Sequence, residues 1–281
     1  MVFKMDKNQI RSRFIMAKPF CRYLLYVFMI IFFMNGISFA ASVKTILVIS
    51  IDALHPDALG PETSKNIYRM MQKGSYTLDG HSTRPPKTLI SHAAMFSGIP
   101  PEKGGRKNNS WHTGELQIKG ETIFNTAKFL GFSTGFFYSK EKLGFLVNPA
   151  VDQYKLDKDF SVDNAVNFLK TADKKAFCFL HVSGLDITGP IEGWLSSGYM
   201  EELFYIDDAI APLIRLVESK ENYLIIITSD HAGHGTIHGS DHPDDEKLPF
   251  IMISDSVDSS PYQGITWHVA DMKPFLDKIL R

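Results

Sequence analysis

Cysteine is scarce in this chain of 281 residues, which contains only two. Cys21 lies in a basic and apolar N-terminal segment, so the rest of the chain keeps the single thiol of Cys178. Because one thiol cannot form an internal disulfide, the stability of the folded body must come from its core. The hydrophobic content of 44% is ample for such a core.

The chain also lacks an excess of charge of either sign. It has 30 Lys and Arg residues against 31 Asp and Glu residues, which gives a formal net charge of −1 at pH 7. This balance argues against a nucleic-acid partner and against a polybasic membrane patch. The sequence shows no internal repeat and no low-complexity linker, so it predicts one main domain.

The first 40 residues differ in composition from the remainder. Basic residues between positions 4 and 22 precede the apolar run Leu24–Met34, and small residues follow at Ser38 and Ala40. A basic region, an apolar region of about 7–15 residues and a small-residue exit are typical of a secretory signal. We therefore expect a signal peptide over residues 1–40 and a periplasmic or secreted body over 41–281. The alternative is an uncleaved anchor, and in either case this segment provides the only predicted membrane contact.

Strand-like and helix-like segments alternate along the body. Apolar runs rich in β-branched and aromatic residues predict strands at 44–51, 132–138, 176–182, 223–228 and 250–253. Apolar periodicity and stop signals predict helices at 66–71, 122–130, 162–170, 201–217 and 269–280. This alternation indicates an α/β domain built on a mainly parallel sheet.

Acidic residues and a histidine follow three of the predicted strands. Asp52 follows the first strand, Asp186 the third, and the pair Asp230 and His231 the fourth. In a parallel sheet, ligands bind beyond the carboxyl ends of the strands, where these side chains would meet. A single such aspartate is usually a helix cap or turn residue, but three strand-end sites together favour a metal centre.

A Gly-rich loop continues from His231 and adds further potential ligands. It contains His234, His238 and His242. Carboxylate oxygen and imidazole nitrogen together suit zinc or a similar divalent ion. A solvated loop without metal is the alternative interpretation of this segment.

A hydroxyl residue lies between a Pro-rich turn and a short apolar segment in the run Arg84–Glu102. The pattern predicts that Thr88 begins a helix, where free backbone N–H groups and the helix dipole favour an anionic oxygen. A simple capped helix would show the same pattern. Ser91 is a rival nucleophile, but three residues later it would lie inside the helix rather than at its N-terminus.

The order and spacing of these motifs resemble a known family. The chain resembles the alkaline phosphatase superfamily, most closely its type I phosphodiesterase and nucleotide pyrophosphatase branch, over about residues 44 to 255. The resemblance implies a single three-layer α/β domain without a large cap. The segments that carry it are Val48–Asp52, Lys87–Thr88 with Ser91–His92, Gly98–Glu102, Glu121–Phe124 through Ser139–Lys142, Thr228–His231 and His238–Gly239.

The resemblance implies a role for each matched residue. In that family two divalent ions, usually zinc, flank a Thr or Ser nucleophile, which here would be Thr88 and would form a phosphothreonine. Asn109 would contact a non-bridging phosphate oxygen, although Asn108 beside it is an alternative. The first ion would be held by Asp52, Thr88, Asp230 and His231. The second would be held by Asp186 and His238.

One position departs from the family pattern. Pro190 stands where the family has a histidine ligand of the second ion, and proline offers no side-chain ligand. His234, His242 or Glu192 could substitute for it. The sequence leaves open an enzyme with one metal ion and an enzyme with two, and the metal could be zinc or another divalent ion.

Two functions remain open from the sequence. We expect an exported, metal-dependent hydrolase of phosphate esters, acting on a small-molecule ester or nucleotide with diesters or pyrophosphates preferred. A phosphonate hydrolase or a headgroup-transferring enzyme could use the same site, whereas Thr88 argues against a sulfatase. The alternative class is a catalytically impaired relative that binds a phosphorylated ligand, which Pro190 would explain.

Overall fold

The computed structural model describes residues 42–172 and 174–280 of the chain. The predicted signal segment, 1–40, lies outside the described residues, so its function stays a prediction. The described residues contain eight strands, which are β1 (Thr45–Ile51), β2 (Ser75–His81), β3 (Ser133–Tyr138), β4 (Gln153–Leu156), β5 (Ala176–Val182), β6 (Tyr223–Thr228), β7 (Lys247–Ser254) and β8 (Trp267–His268). They form one sheet with the order β4-β3-β5-β1-β6-β7-β2-β8.

The sheet is mainly parallel, as the alternation of elements predicts. β1 pairs in parallel with β5 on one side and with β6 on the other, and β3 pairs in parallel with β4 and β5. β7 runs antiparallel to both β6 and β2. The carboxyl ends of β3, β5, β1 and β6 therefore meet at one edge of the sheet.

Helices cover both faces of this sheet. Strand β1 is buried along its whole length, and its alternate residues enter two separate apolar clusters, with Ile46 and Val48 in one and Leu47 and Ile49 in the other. A central parallel strand reads as a continuous apolar run because both of its faces are covered. These observations confirm the predicted three-layer α/β domain.

The helices divide between the two layers. The first layer contains α2 (Thr88–Ser97), α3 (Ile123–Phe129) and α8 (Met272–Ile279). The second layer contains α1 (Lys65–Lys73), α4 (Ser161–Thr171), α5 (Gly184–Glu192) and α6 (Ser197–Glu218). The short helix α7 (Pro243–Glu246) precedes β7.

The predicted elements are confirmed, with shifts at some ends. α6 begins at Ser197 rather than at 201, because the Ser196 hydroxyl caps it by accepting a hydrogen bond from the Tyr199 amide at 3.2 Å. The C-terminal segment begins with a 3-10 turn over Val269–Asp271, and the α-helix starts only at Met272.

Strands β2, β4 and β8 were not predicted. The four residues of β4 are all exposed, and β8 is only two residues long, so neither has an apolar pattern. In β2, Gly80 interrupts the pattern at a register shift against β7. A Cβ at Gly80 would lie 2.2 Å from the carbonyl oxygen of Leu248, so the close approach of the two strands requires glycine there.

Two further observations apply to the described residues alone. Cys178 is a free, buried thiol on β5, and burial raises its pKa. Within 42–172 and 174–280, no helix is both long enough and apolar enough to cross a membrane.

Candidate metal centre and active site

The predicted site residues come together at the carboxyl edge of the sheet. Asp52 follows β1, and Asp230 and His231 follow β6, the neighbour of β1. Asp186 lies in the first turn of α5, just after β5, which pairs with β1 on the other side. The parallel pairing of three adjacent strands is thus what brings these side chains together.

Asp52 is buried and is held by two cationic or polar partners. His181 Nε2 donates a hydrogen bond to Asp52 Oδ2 at 3.0 Å, and Lys140 Nζ lies 2.6 Å from the same oxygen. Burial alone would raise the pKa of Asp52, but Lys140 and His181 outweigh it and hold that pKa well below its usual range. Asp52 is therefore an ionised carboxylate whose other oxygen, Oδ1, has no hydrogen-bond partner among the residues that the structure describes.

The turn after Asp52 is fixed by an unusual backbone conformation. Ala53 has a φ of 64°, the left-handed region that non-glycine residues rarely adopt. Its N–H donates to Asp230 Oδ1 at 3.2 Å, and its carbonyl accepts from the Tyr199 hydroxyl at 2.7 Å. The first bond ties the turn after β1 directly to the aspartate after β6.

His231 is oriented so that one ring nitrogen faces the two carboxylates. The carbonyl of Ala232 can only accept, so His231 Nδ1 donates to it at 2.9 Å. His231 Nε2 then lies 3.4 Å from Asp52 Oδ1 and 3.5 Å from Asp230 Oδ2. Burial lowers the pKa of His231, but the aspartates outweigh it and raise that pKa, and the same negative charge attracts a cation.

Three buried atoms of this group have no hydrogen-bond partner in the described structure. They are Asp52 Oδ1, Asp230 Oδ2 and His231 Nε2. Ligand atoms of these three residues lie within 4.8 Å of one another. Buried polar groups left unpaired are costly, so a cation that all three bind would remove the penalty. Two carboxylates and one imidazole are a donor set that fits zinc or a similar divalent ion.

Thr88 begins α2, as predicted, and its side chain is buried beside this group. Its Oγ1 lies 3.4 Å from Lys140 Nζ. The next amide in the helix, that of Leu89, donates to Asn109 Oδ1 at 2.9 Å, which satisfies one free N–H of the first turn. Asn109 therefore lies at the N-terminus of α2, whereas the Asn108 side chain bonds to Ser110.

Ser91, the rival nucleophile, lies inside α2 and is fully buried. Its hydroxyl bonds to Ser82 Oγ and to Thr83 Oγ1, each at 2.8 Å. These partners belong to the loop after β2, so Ser91 attaches the helix to that loop rather than facing the metal group.

The second predicted group is less complete than the first. His238 Nε2 lies 3.4 Å from Asp186 Oδ1, and its ring stacks on that of His231 with centroids 4.6 Å apart. Pro190 lies within α5 and brings no ligand atom. In the described residues, a third ligand for this group comes only from His231, which the first group also uses.

The residues proposed to substitute for the missing histidine lie elsewhere. His234 and His242 stack on each other with centroids 3.7 Å apart, and His234 Nδ1 lies 2.6 Å from Asp245 Oδ1. These three residues form a separate group, and Glu192 is exposed. None of the three substitutes joins Asp186 and His238.

Lys140 is the central residue that sequence reasoning missed. It contacts Asp186 Oδ2 as well as Asp52 and Thr88. Burial would lower its pKa, but the surrounding aspartates raise that pKa and keep the ammonium charged. Lys140 comes two residues after β3, at the same edge of the sheet, so its position after a predicted strand was the signal. A lysine at a strand end is not a metal ligand, so its position is a weaker signal than that of an acid or a histidine.

Two buried histidines were also missed because they lie inside regular elements. His181 is on β5, and His92 is on α2, where its Nδ1 donates to the Thr88 carbonyl at 2.8 Å. His92 Nε2 lies 2.9 Å from Ser50 Oγ. Burial lowers the pKa of His92 to about 4, so this ring is neutral near neutral pH. Both histidines therefore hold site residues in place, His181 through the Asp52 carboxylate and His92 through the Thr88 carbonyl.

A cavity of about 950 Å³ opens beside these residues. Its lining includes Asn109, Lys140, Lys142 and Asp186. Three aromatic side chains in this part of the molecule are packed into the interior. Trp111, Trp194 and Tyr199 are all buried, and Trp194 lies against the His238 ring.

A family model described as type I phosphodiesterase / nucleotide pyrophosphatase matches residues 46–249. The chain belongs to this family. The match confirms the resemblance predicted from the motifs, and its limits enclose every candidate metal ligand.

Curated relatives of this family member carry one description. GPI ethanolamine phosphate transferase 1 of Gibberella zeae is 24% identical over 216 residues, which cover 67% of this chain and 22% of that protein. The mouse protein of the same description is 22% identical over 218 residues, covering 65% of this chain and 22% of its own length. The matched part of the chain thus spans about a fifth of these relatives.

Solved structures share the fold at low sequence identity. The C-terminal periplasmic domain of Escherichia coli EptC in complex with Zn superposes with a TM-score of 0.64 at 12% identity, covering 85% of this chain and 82% of that domain. A sulfatase structure from Bacteroides thetaiotaomicron reaches 0.70 at 14% identity, covering 84% and 70%. These likenesses establish the alkaline phosphatase-like fold of this domain.

Proposed function

We propose that the chain is an exported, metal-dependent phosphoric ester hydrolase of the phosphodiesterase or nucleotide pyrophosphatase type. The observation that carries this proposal is the convergence of three buried, unpaired donor atoms, on Asp52, Asp230 and His231. They lie beside Thr88, which begins α2. A metal-ligand set next to a hydroxyl at a helix N-terminus is what a phosphoryl-transfer site requires.

Each residue would have a separate part in the reaction. A divalent ion, for which zinc is the first candidate, would stabilise negative charge on the oxygens around phosphorus when bound by Asp52, Asp230 and His231. The Thr88 hydroxyl loses its proton to solvent as its oxygen bonds to phosphorus. The bond from phosphorus to the leaving alcohol breaks, and the alcohol takes up a proton. Water then attacks the phosphothreonine and restores the Thr88 hydroxyl.

The cavity beside the site would accept a small phosphate ester or a nucleotide. Lys140 contributes positive charge to its lining, which suits an anionic substrate. Asn109, anchored through the Leu89 amide, would donate to a non-bridging phosphate oxygen.

Transfer to an alcohol is the second candidate function. The curated relatives are named ethanolamine phosphate transferases, which favours this alternative. The same phosphothreonine would serve both reactions, because an acceptor hydroxyl can attack the phosphorus in place of water.

The deciding experiment is hydrolysis of bis(p-nitrophenyl) phosphate and p-nitrophenyl phosphate by the purified chain, titrated with zinc. We expect zinc-dependent turnover that favours the diester and that Thr88→Ala lowers by at least about 10³-fold, since a covalent nucleophile is lost. Ser91→Ala is the matched control, because it removes a hydroxyl from the same helix, and it should retain activity. Added ethanolamine would divert product from the phosphate monoester to a phosphodiester if transfer is the reaction.

Two results would contradict the hydrolase. Turnover that is unchanged in Thr88→Ala would exclude Thr88 as the nucleophile. Zinc binding without turnover on either substrate, in water or with an acceptor alcohol, would favour the impaired relative that only binds a phosphorylated ligand.

Export is proposed on the N-terminal sequence alone. Expression in a Gram-negative host followed by fractionation should recover the chain outside the cytoplasm. N-terminal sequencing should begin at residue 41 if the signal is cleaved after Ala40. A chain retained intact in the membrane would instead indicate an uncleaved anchor.

A further inference from the structure

We propose that the ammonium group of Lys140 takes the place of a second cation, so that this chain works with one metal ion and a fixed lysine. The inference rests on the proposed function, because it assigns a catalytic residue to the same site. It would explain how Pro190 can occupy a ligand position without disabling the enzyme.

The ammonium of Lys140 is engaged by three residues. It donates hydrogen bonds to Thr88 and Asp186 and forms an ion pair with Asp52. Three oxygens surround Lys140 Nζ, namely Asp52 Oδ2 at 2.6 Å, Asp186 Oδ2 in contact with it, and Thr88 Oγ1 at 3.4 Å. These are oxygens of both predicted metal groups and of the nucleophile, so the positive charge lies between the two groups.

The side chain is held in a confined place rather than reaching from the surface. Only 17% of the Lys140 side chain is exposed. Its backbone follows β3, the neighbour of β5 in the sheet, so its Cα is fixed at the edge that also carries Asp52 and Asp186. Because its position is fixed, the ammonium needs little reorganisation when negative charge develops on the reacting oxygens.

The donor set left for a second divalent ion does not fit. Asp186 has one oxygen engaged by Lys140. Among the described residues, its partners in this group are His238 and His231, and His231 is already a ligand of the first group. Catalytic zinc sites generally use three protein ligands. A divalent ion beside a charged ammonium would also be repelled by it, and low dielectric strengthens that repulsion.

The ammonium would act on the reacting atoms themselves. It lies beside the hydroxyl oxygen of Thr88, where it lowers the cost of negative charge on that oxygen as its proton leaves. The bond between this oxygen and phosphorus then forms as described above. Lys140 keeps its own proton throughout, so it contributes charge and not acid–base catalysis.

The test combines a zinc count with turnover. The purified full chain is dialysed against buffered zinc, and the bound zinc is measured by inductively coupled plasma mass spectrometry for the parent, Lys140→Met and Lys142→Met. We expect one zinc per chain in the parent. Lys140→Met should keep that zinc and lose about 10²–10³-fold in turnover, the effect of removing one electrostatic stabiliser. Lys142→Met, in the same cavity and without an ion pair in the described residues, should lose less than about tenfold.

A gain-of-metal variant makes the inference sharper. In Lys140→Met/Pro190→His the competing charge is removed and the missing ligand is supplied, so we expect a second zinc to bind. Circular dichroism melting of each variant checks that it is folded. Two zinc ions per chain in the parent, or equal turnover of Lys140→Met and Lys142→Met, would overturn the proposal.

The two proposals fail in different ways. If the parent binds one zinc but hydrolyses no ester, the function is wrong, while a second zinc gained by the double variant still supports the place of Lys140. If the parent is active and binds two zinc ions, the function stands and the Lys140 inference falls.

Discussion

The two ligand groups of this site share His231 but differ in how they are built. In the first group, Asp52, Asp230 and His231 are fully buried, and each presents an unpaired atom to the same point. In the second group, Asp186 and His238 keep part of their side chains exposed. Asp186 Oδ1 faces His238 and has no hydrogen-bond partner among the described residues, but Lys140 engages the other oxygen, Oδ2. The first group is therefore preorganised for a cation, whereas the second already contains a positive charge.

The difference follows from the backbone around each group. A bond from the Ala53 amide to Asp230 joins the two turns of the first group, and the Ala232 carbonyl orients His231. The second group depends on the first turn of α5 and on a Gly-rich loop. Preorganisation of ligand side chains by such outer contacts is what gives a metal site its affinity. The two groups can thus differ in how firmly their side chains are held within one site.

The largest expected difference between the groups comes from the same substitution made in each. Asp230→Asn should abolish tight zinc binding and lower turnover by at least about 10³-fold, because it removes a charged ligand of the complete group. Asp186→Asn should retain the zinc and lose about 10–100-fold, because it weakens only the hold on Lys140. Zinc content and steady-state kinetics of both variants provide the measurement.

The two substitutions are matched in size and shape, so each controls for the other. Loss of zinc in Asp186→Asn as complete as in Asp230→Asn would show that the two groups bind a single shared ion. That result would remove the contrast between the groups.

A smaller effect is expected from His181, which bonds to Asp52 but is not a member of the ligand group. His181→Ala removes the donor to Asp52 Oδ2 and should weaken zinc affinity by about 10–100-fold, as outer-sphere substitutions of metal sites typically do. His234→Ala is the control, because His234 belongs to the separate group with Asp245. Equal zinc affinity of His181→Ala and the parent, measured by competition with a chelating dye, would refute a supporting role for His181.

The smallest expected effect concerns the scaffold of the first group and appears in stability. Tyr199→Phe removes the hydroxyl that bonds the Ala53 carbonyl and the His55 amide, and should lower the free energy of unfolding by about 1–3 kcal/mol. Tyr205→Phe, on the same helix but exposed, should change it by less than about 0.5 kcal/mol. Urea unfolding monitored by circular dichroism distinguishes them, and equal midpoints would argue against a structural role for the Tyr199 hydroxyl.

Much of the fold follows from local patterns in the chain. The apolar run of β1 predicts a strand covered on both faces. Gly98, with a φ of 72°, ends α2 directly after its apolar segment. β4 has no such pattern, since all four residues are exposed and only pairing with β3 defines it. The local sequence pattern therefore predicts a strand that is buried, because burial requires apolar residues. An exposed strand such as β4 has no such pattern and is defined only by its pairing with a neighbour.

The sequence by itself determined the α/β class, the strand ends that carry Asp52, Asp186 and Asp230, and the helix start at Thr88. Only the tertiary structure decided that Lys140 lies among those carboxylates, that His231 serves both groups and that His234 and His242 lie apart. Which residues follow a strand is a property of local sequence. Which of them meet depends on strand order and pairing, because contacts across a sheet join residues far apart in the chain.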